Sequence, residues 1–281
     1  MRFGMCCGVG SFPPQVEGQP LSSIPRLMET MQAAGAGYVE FGVGSVMQGD
    51  EAQFEELRAA LESQPLKVEA FNGFIPAQHR ITGPHVDLQS VLDYCRTALQ
   101  RCRALGGAVV VLGSGGARRV PEGFNMGVAE GQFIEFCRAL GPIADEAGID
   151  IAIEPLNSRE DNLIVSVADG AQIVDEVGHP RIQLLADFYH MFEEHEPVEN
   201  VAEAGSRLRH THVADLGRVA PGYAPEGEAD FVAFFRNLRR AGYDRRGHDA
   251  RCSFEGRLDD IAAQSKPLLD LLKQRWQESA A

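Results

Sequence analysis

Four side chains in the 281-residue sequence are suited to holding a hard cation: Glu154 in IAIEPLN, Asp187 in LLADFYH, His212 in HTHVAD and Glu255 in CSFEG. Each sits at or near the end of a short, apolar, strand-like run. Alternation along the runs gives these residues a common direction. Ile151 and Ile153 oppose Ala152 and Glu154, Thr211 and Val213 oppose His210 and His212, and Cys252 and Phe254 oppose Ser253 and Glu255. Three carboxylates and an imidazole make an oxygen-rich set suited to Mn²⁺, Mg²⁺ or Co²⁺. An all-protein Zn²⁺ site more often recruits cysteine or further histidines. Mn²⁺ is the favoured ion, with Mg²⁺, Co²⁺ and Zn²⁺ as alternatives. A lone strand-end acid is as often a helix cap as a ligand, so the weight rests on four such groups in consecutive strands.

These four belong to a longer series. Eight β-rich runs begin at RFGMCCGV, GYVEFGV, LKVEAFNGF, AVVVLGS, DIAIEPL, IQLLADFYH, LRHTHVAD and DARCSFEG. Their starts advance by about 35 residues, the length of one βα unit. Helix-period segments lie between them, for example over 22–35, 86–106 and 130–148, and many end in glycine. With no break in composition, the pattern predicts an α/β chain folded as a single (β/α)₈ TIM barrel domain over 1–281. A doubly wound sheet would carry a Gly-rich nucleotide turn, but GSGGAR from Gly113 lacks that spacing and no Walker A sequence is present. The longest irregular segments, 74–84, 114–125 and 216–227, all follow strands, where barrel enzymes build their sites.

The balance of charge is −14, which disfavours a nucleic-acid or anionic-membrane partner. No run is long and apolar enough for a membrane span or a signal peptide, so a cytoplasmic protein is expected. The six cysteines form no CxxC pair and read as reduced thiols. Three lysines, Lys67, Lys266 and Lys273, stand against 23 arginines, and none is placed for an imine-forming aldolase.

The motifs Glu154-Pro155-Leu156-Asn157 with Glu160, Asp187-x-x-His190-Met191 and His212-x-x-Asp215 with Arg218 resemble the xylose isomerase-like barrel superfamily. Pro221-Gly222, Asp230-Phe231 and the final strand ending in Glu255 extend the resemblance over most of the chain, on the side of the ketose 3-epimerases and hydroxypyruvate isomerases. It implies metal ligation by Glu154, Asp187, His212 and Glu255, an acid–base pair in Glu154 and Glu255, and substrate binding by Glu160, His190 and Arg218. It implies an isomerase whose partner is a small sugar or polyol ketone, in a homodimer or homotetramer. The sequence departs from the sugar epimerases at Ser158-Arg159 and in the stretch GSGGARRVPEGF over 113–124.

The chemistry is sound on its own terms. An α-hydroxyketone C–H is too weak an acid for a free carboxylate, and a divalent cation on the carbonyl and hydroxyl oxygens stabilises the enediolate. Two carboxylates on opposite faces then exchange protons. Return to the other face is epimerisation, return to the next carbon is isomerisation, and loss of a β-hydroxyl is dehydration. An inosose- or dehydroshikimate-type dehydratase is therefore the alternative. An endonuclease IV-like nuclease is remote, because its further histidines are missing and the charge is wrong. A non-catalytic sugar-sensing barrel is a third class. Arg118 and Arg119 read either as anion binders or as solvated loop charges. Asn72, Phe74 and His79 are placed to wall the pocket, and Glu40 to brace the barrel. Phe231, Phe234 and Phe235 read as helix-to-barrel packing or as an oligomer surface.

Overall fold

The computed structural model describes residues 1–225 and 228–280. Its strands are β1 (Arg2–Cys6), β2 (Tyr38–Gly42), β3 (Val68–Asn72), β4 (Val109–Leu112), β5 (Asp150–Ile153), β6 (Ile182–Asp187), β7 (Leu208–Val213) and β8 (Arg251–Phe254). Each pairs in parallel with its sequence neighbour, and β8 closes on β1. This is the single closed (β/α)₈ barrel that the runs predict. The strands read as nearly continuous apolar stretches because helices cover one face and the barrel interior the other. Tyr38, Ala70, Val109, Val111, Ala152 and Leu185 form the inner core.

The helices fall where periodicity places them, with shifts set by capping. The segment over 130–148 starts earlier, as Met126–Ala147, because the Asn125 side chain accepts a hydrogen bond from the Val128 N–H. It stops at Gly148, whose φ of 67° suits a glycine C-cap. Short helices that the periodicity did not show occupy Val43–Met47, Gly115–Arg118, Phe188–Glu193 and Asn200–Ala204. Of the irregular segment over 216–227, residues 226 and 227 lie outside the described residues.

Phe231, Phe234 and Phe235 are buried, and the ring of Phe235 meets Phe3 and Trp276. The stripe packs its helix on the barrel and is not an oligomer surface. At the N-terminal end of the barrel, Arg251 pairs with Glu69 and Asp249, and Arg209 and Arg181 share Asp150. Among the described residues, no helix is long and apolar enough to cross a membrane.

Candidate active site

Consecutive strands deliver the four cation-suited side chains to the C-terminal mouth of the barrel. Glu154 follows β5, Asp187 ends β6, His212 lies in β7 and Glu255 follows β8. His212 Nδ1 lies 3.2 Å from Glu154 Oε1, 3.8 Å from Glu255 Oε2 and 3.9 Å from Asp187 Oδ2. On the other edge of the ring, Nε2 lies 2.9 Å from Glu40 Oε1. The Asp187 Oδ1 atom also caps the helix Phe188–Glu193 by accepting from the Tyr189 N–H at 2.7 Å, which fixes the carboxylate's orientation. Gly113, just after β4, is required by close approach: a Cβ there would fall 2.3 Å from Glu154 Oε2.

By distance alone, His190 joins Glu154, Asp187 and Glu255, since ligand atoms of the four lie within 4.8 Å of one another. Its hydrogen bonds give it a different part. His190 Nδ1 accepts from the Asn157 backbone N–H at 3.1 Å and faces Asn157 Nδ2 at 2.9 Å. The neutral ring then carries its proton on Nε2, which is buried and has no hydrogen-bond partner. His190 offers the cluster a donor, whereas the Nδ1 of His212 faces three carboxylates. The acidic set with His212 fits a divalent cation, because three carboxylates, Glu154 and Asp187 buried and Glu255 partly exposed, converge on one imidazole.

Arg218 forms the rim. Its guanidinium donates to Glu255 Oε2 at 2.5 Å and Glu160 Oε1 at 3.2 Å, and stacks over the Tyr189 ring. Its φ of 60° is left-handed, an uncommon conformation for a residue with a Cβ. Asn72 Nδ2, at the end of β3, donates to Glu255 Oε1 at 3.1 Å. Glu160 also accepts from Asn157 Nδ2 at 3.0 Å, so Asn157 ties it to His190.

Burial pushes Asp187 up to about 6 and also raises Glu154. Burial would raise Glu255 too, but His212 and Arg218 outweigh it and hold that carboxyl below its ordinary value. Burial would lower His212, yet Glu40, Glu154 and Glu255 raise it well above the usual imidazole range. Glu40 is held well below the carboxylate range against its burial by His212 and His210. The two carboxylates flanking the site are thus driven apart, a pattern associated with acid–base pairs.

Sequence reasoning misplaced Arg118. It is neither an anion binder nor a solvated charge. It is fully buried, and donates from Nε to Asp161 Oδ2 at 2.7 Å, from Nη1 to the Leu112 carbonyl at 3.0 Å and from Nη2 to the Glu154 carbonyl at 2.7 Å. It ties the ends of β4 and β5 to the loop carrying Asn157 and Glu160. Arg119 is exposed and reaches the carbonyls of Ser158 and Arg159. His79 stacks on Tyr94 with ring centroids 4.7 Å apart, a packing role. Asn157 was visible only as part of a motif.

A closed eight-stranded parallel barrel with a buried acidic cluster and a histidine at its C-terminal mouth defines the (β/α)₈ class in its usual site-bearing arrangement. The chain belongs to the xylose isomerase-like TIM barrel family, whose model matches residues 28–273. A 3-dehydro-D-guloside 4-epimerase of Escherichia coli (strain K12) is 35% identical over 107 residues, 38% of this chain and 40% of that protein. An L-ribulose 3-epimerase of Methylomonas sp. (strain DH-1) is 35% identical over 105 residues, 37% of this chain and 36% of that protein. The chain thus spans about two fifths of the length of the curated relatives it matches. The crystal structure of a 3-keto-D-glucoside 4-epimerase from E. coli, in its apo form, has the same fold. Its TM-score is 0.78 at 23% identity, with 98% of this chain and 99% of that one covered.

Proposed function

We propose that the protein is a divalent-metal-dependent sugar epimerase acting on a ketose or a related α-hydroxyketone, with Glu154 and Glu255 as its acid–base pair. The observation that carries this reading is the convergence of Glu154, Asp187 and Glu255 on the Nδ1 of His212, with the Nε2 of His190, which makes no hydrogen bond, beside them. Epimerase relatives matched over part of the chain support the reaction class over the dehydratase. Glu154, Asp187, His212 and Glu255 would hold the ion, Mn²⁺ by preference, which when bound draws charge from the substrate's carbonyl and hydroxyl oxygens. Glu255, kept ionised by His212 and Arg218, takes the proton from the carbon next to the carbonyl. Glu154, whose burial favours the protonated form, returns one to the opposite face. In the reverse reaction the two exchange tasks. His190 donates from Nε2 to a substrate oxygen, and Glu160 and Arg218 orient the hydroxyls at the rim. The test is conversion of a panel of free ketoses and keto-glycosides by the Mn²⁺-loaded protein, read as epimer formation. Dehydrated products in place of epimers would move the assignment to the lyases.

Metal binding should depend on pH through Asp187. Its carboxyl is raised by burial from an ordinary 3.8 to about 6, so the folded chain favours the proton. Asp187's own contribution to metal-free stability is expected to fall as pH rises from about 4 towards 6, where the unfolded chain has already released that proton. Mn²⁺ affinity is expected to fall as pH drops below about 6, because proton and ion compete for the carboxylate. Calorimetric titration of Mn²⁺ between pH 5 and pH 8 checks the sign. An affinity that rises on acidification would contradict it.

A further inference from the structure

Below the acidic cluster, inside the barrel, lies a chain of polar contacts that the proposed reaction does not use. Glu40, on β2, is completely buried and has three donors around it. His212 Nε2 lies 2.9 Å from Oε1, His210 Nε2 lies 2.8 Å from Oε2, and Ser253 Oγ donates to Oε2 at 2.6 Å. Tyr38 hydroxyl lies 2.9 Å from Ser253 Oγ, and the Tyr38 ring faces the guanidinium groups of Arg2 and Arg251. Gly4 makes room for that ring, since a Cβ at position 4 would fall 2.5 Å from it. A polar column thus runs from the mouth to the N-terminal end of a barrel whose remaining interior is apolar.

We infer that Glu40 is a positioning residue for the metal site: it fixes the tautomer and tilt of His212 and thereby sets the affinity for the ion. A neutral imidazole that gives its Nε2–H to a carboxylate presents its Nδ1 lone pair on the opposite edge, where a cation would take the place of the second proton. That edge faces Glu154, Asp187 and Glu255. His210 and Ser253 hold the second oxygen of Glu40, so the carboxylate cannot rotate away without losing both contacts. The column gives it a fixed base in a closely packed interior, where a free rotor would blur the position of His212. The negative charge of Glu40, one imidazole away, also adds to the attraction for a cation.

A second arrangement uses some of the same atoms. Cys6 Sγ, a Glu40 oxygen and a His212 nitrogen lie within 4.8 Å of one another, as three ligands of a softer cation would. The hydrogen bonds argue against it, because both Glu40 oxygens and the His212 Nε2 are already engaged.

The inference rests on the proposed metal site, and Mn²⁺ binding to the full chain, followed by electron paramagnetic resonance of the free ion, separates the two. The wild-type protein should bind one equivalent. Glu40→Gln removes the charge and sets an amide N–H₂ against donors, and should weaken binding by about 10–100-fold. The melting temperature of each metal-free protein is recorded alongside, to show that the variant is folded. If Glu40→Gln does not fold, Ser253→Ala removes one of the two contacts on Oε2 while leaving His210 and the charge in place, and a several-fold loss of affinity is expected. Equal Mn²⁺ affinity in wild type and a folded variant would overturn the inference and leave the metal site standing. No Mn²⁺ binding by the wild type would overturn both. A second cation equivalent that Cys6→Ser abolishes would assign Glu40 to another metal site and overturn the positioning role.

Discussion

Glu154→Gln and Glu255→Gln are each expected to lower kcat for epimerisation by about 10²–10⁴-fold, the usual contribution of a positioned acid or base. Glutamine keeps the size and an oxygen for the ion but cannot take up or release a proton. The measurement is initial rates at saturating Mn²⁺, with bound metal quantified in each variant so that lost ion is not mistaken for lost chemistry. Glu160→Gln is the contrast. Glu160 sits at the rim, bonded to Arg218 and Asn157, and exchanges no proton in the proposed scheme. Its replacement should act mainly on KM. Near-normal kcat in the metal-loaded Glu255→Gln protein would remove Glu255 from the acid–base pair. The two glutamates need not respond equally, because Glu255 alone carries the Arg218 hydrogen bond.

Arg118→Ala is expected to have the largest effect on stability. The guanidinium is fully buried with Asp161, and the change strands that carboxylate together with the carbonyls of Leu112 and Glu154. Breaking a buried ion pair from one side costs about 3–5 kcal/mol. At about 2–4 °C per kcal/mol for a chain of this size, the melting temperature should fall by about 10 °C. Thermal unfolding followed by circular dichroism measures it. The double variant Arg118→Met with Asp161→Leu removes both charges and should recover part of the loss, because no unpaired charge stays buried. A drop of a degree or two for Arg118→Ala would mean that the buried pair contributes little.

The barrel was legible because its strands are buried on both faces and its helices end at glycines, both of which are local signals. The convergence of Glu154, Asp187, His212 and Glu255 was legible from alternation, because a strand-end residue's face follows from its neighbours. His210 and Ser253, read as inward by the same parity, do meet Glu40 inside the barrel. What Glu40 and Arg118 do was not legible. Glu40 lies 172 residues from His212 in the chain, and Arg118 lies 43 from Asp161. Such pairs leave no period in the sequence, and an arginine beside a second arginine in a glycine-rich loop looks solvated. The tautomer of His190 likewise depends on a loop contact with Asn157. The phenylalanine stripe was ambiguous in sequence because packing on a barrel and packing on a partner use the same spacing.

Proton exchange at a carbon beside a carbonyl is read by incubation in D₂O. The Mn²⁺-loaded protein would be held with free ketoses, keto-glycosides, hydroxypyruvate and cyclic polyol ketones, and deuterium at each carbon read by NMR. Incorporation next to a carbonyl is expected for at least one sugar, dependent on the metal and lost in both Glu154→Gln and Glu255→Gln. Stoichiometric Mn²⁺ with no deuterium in any compound, or incorporation that persists in both variants, would contradict it.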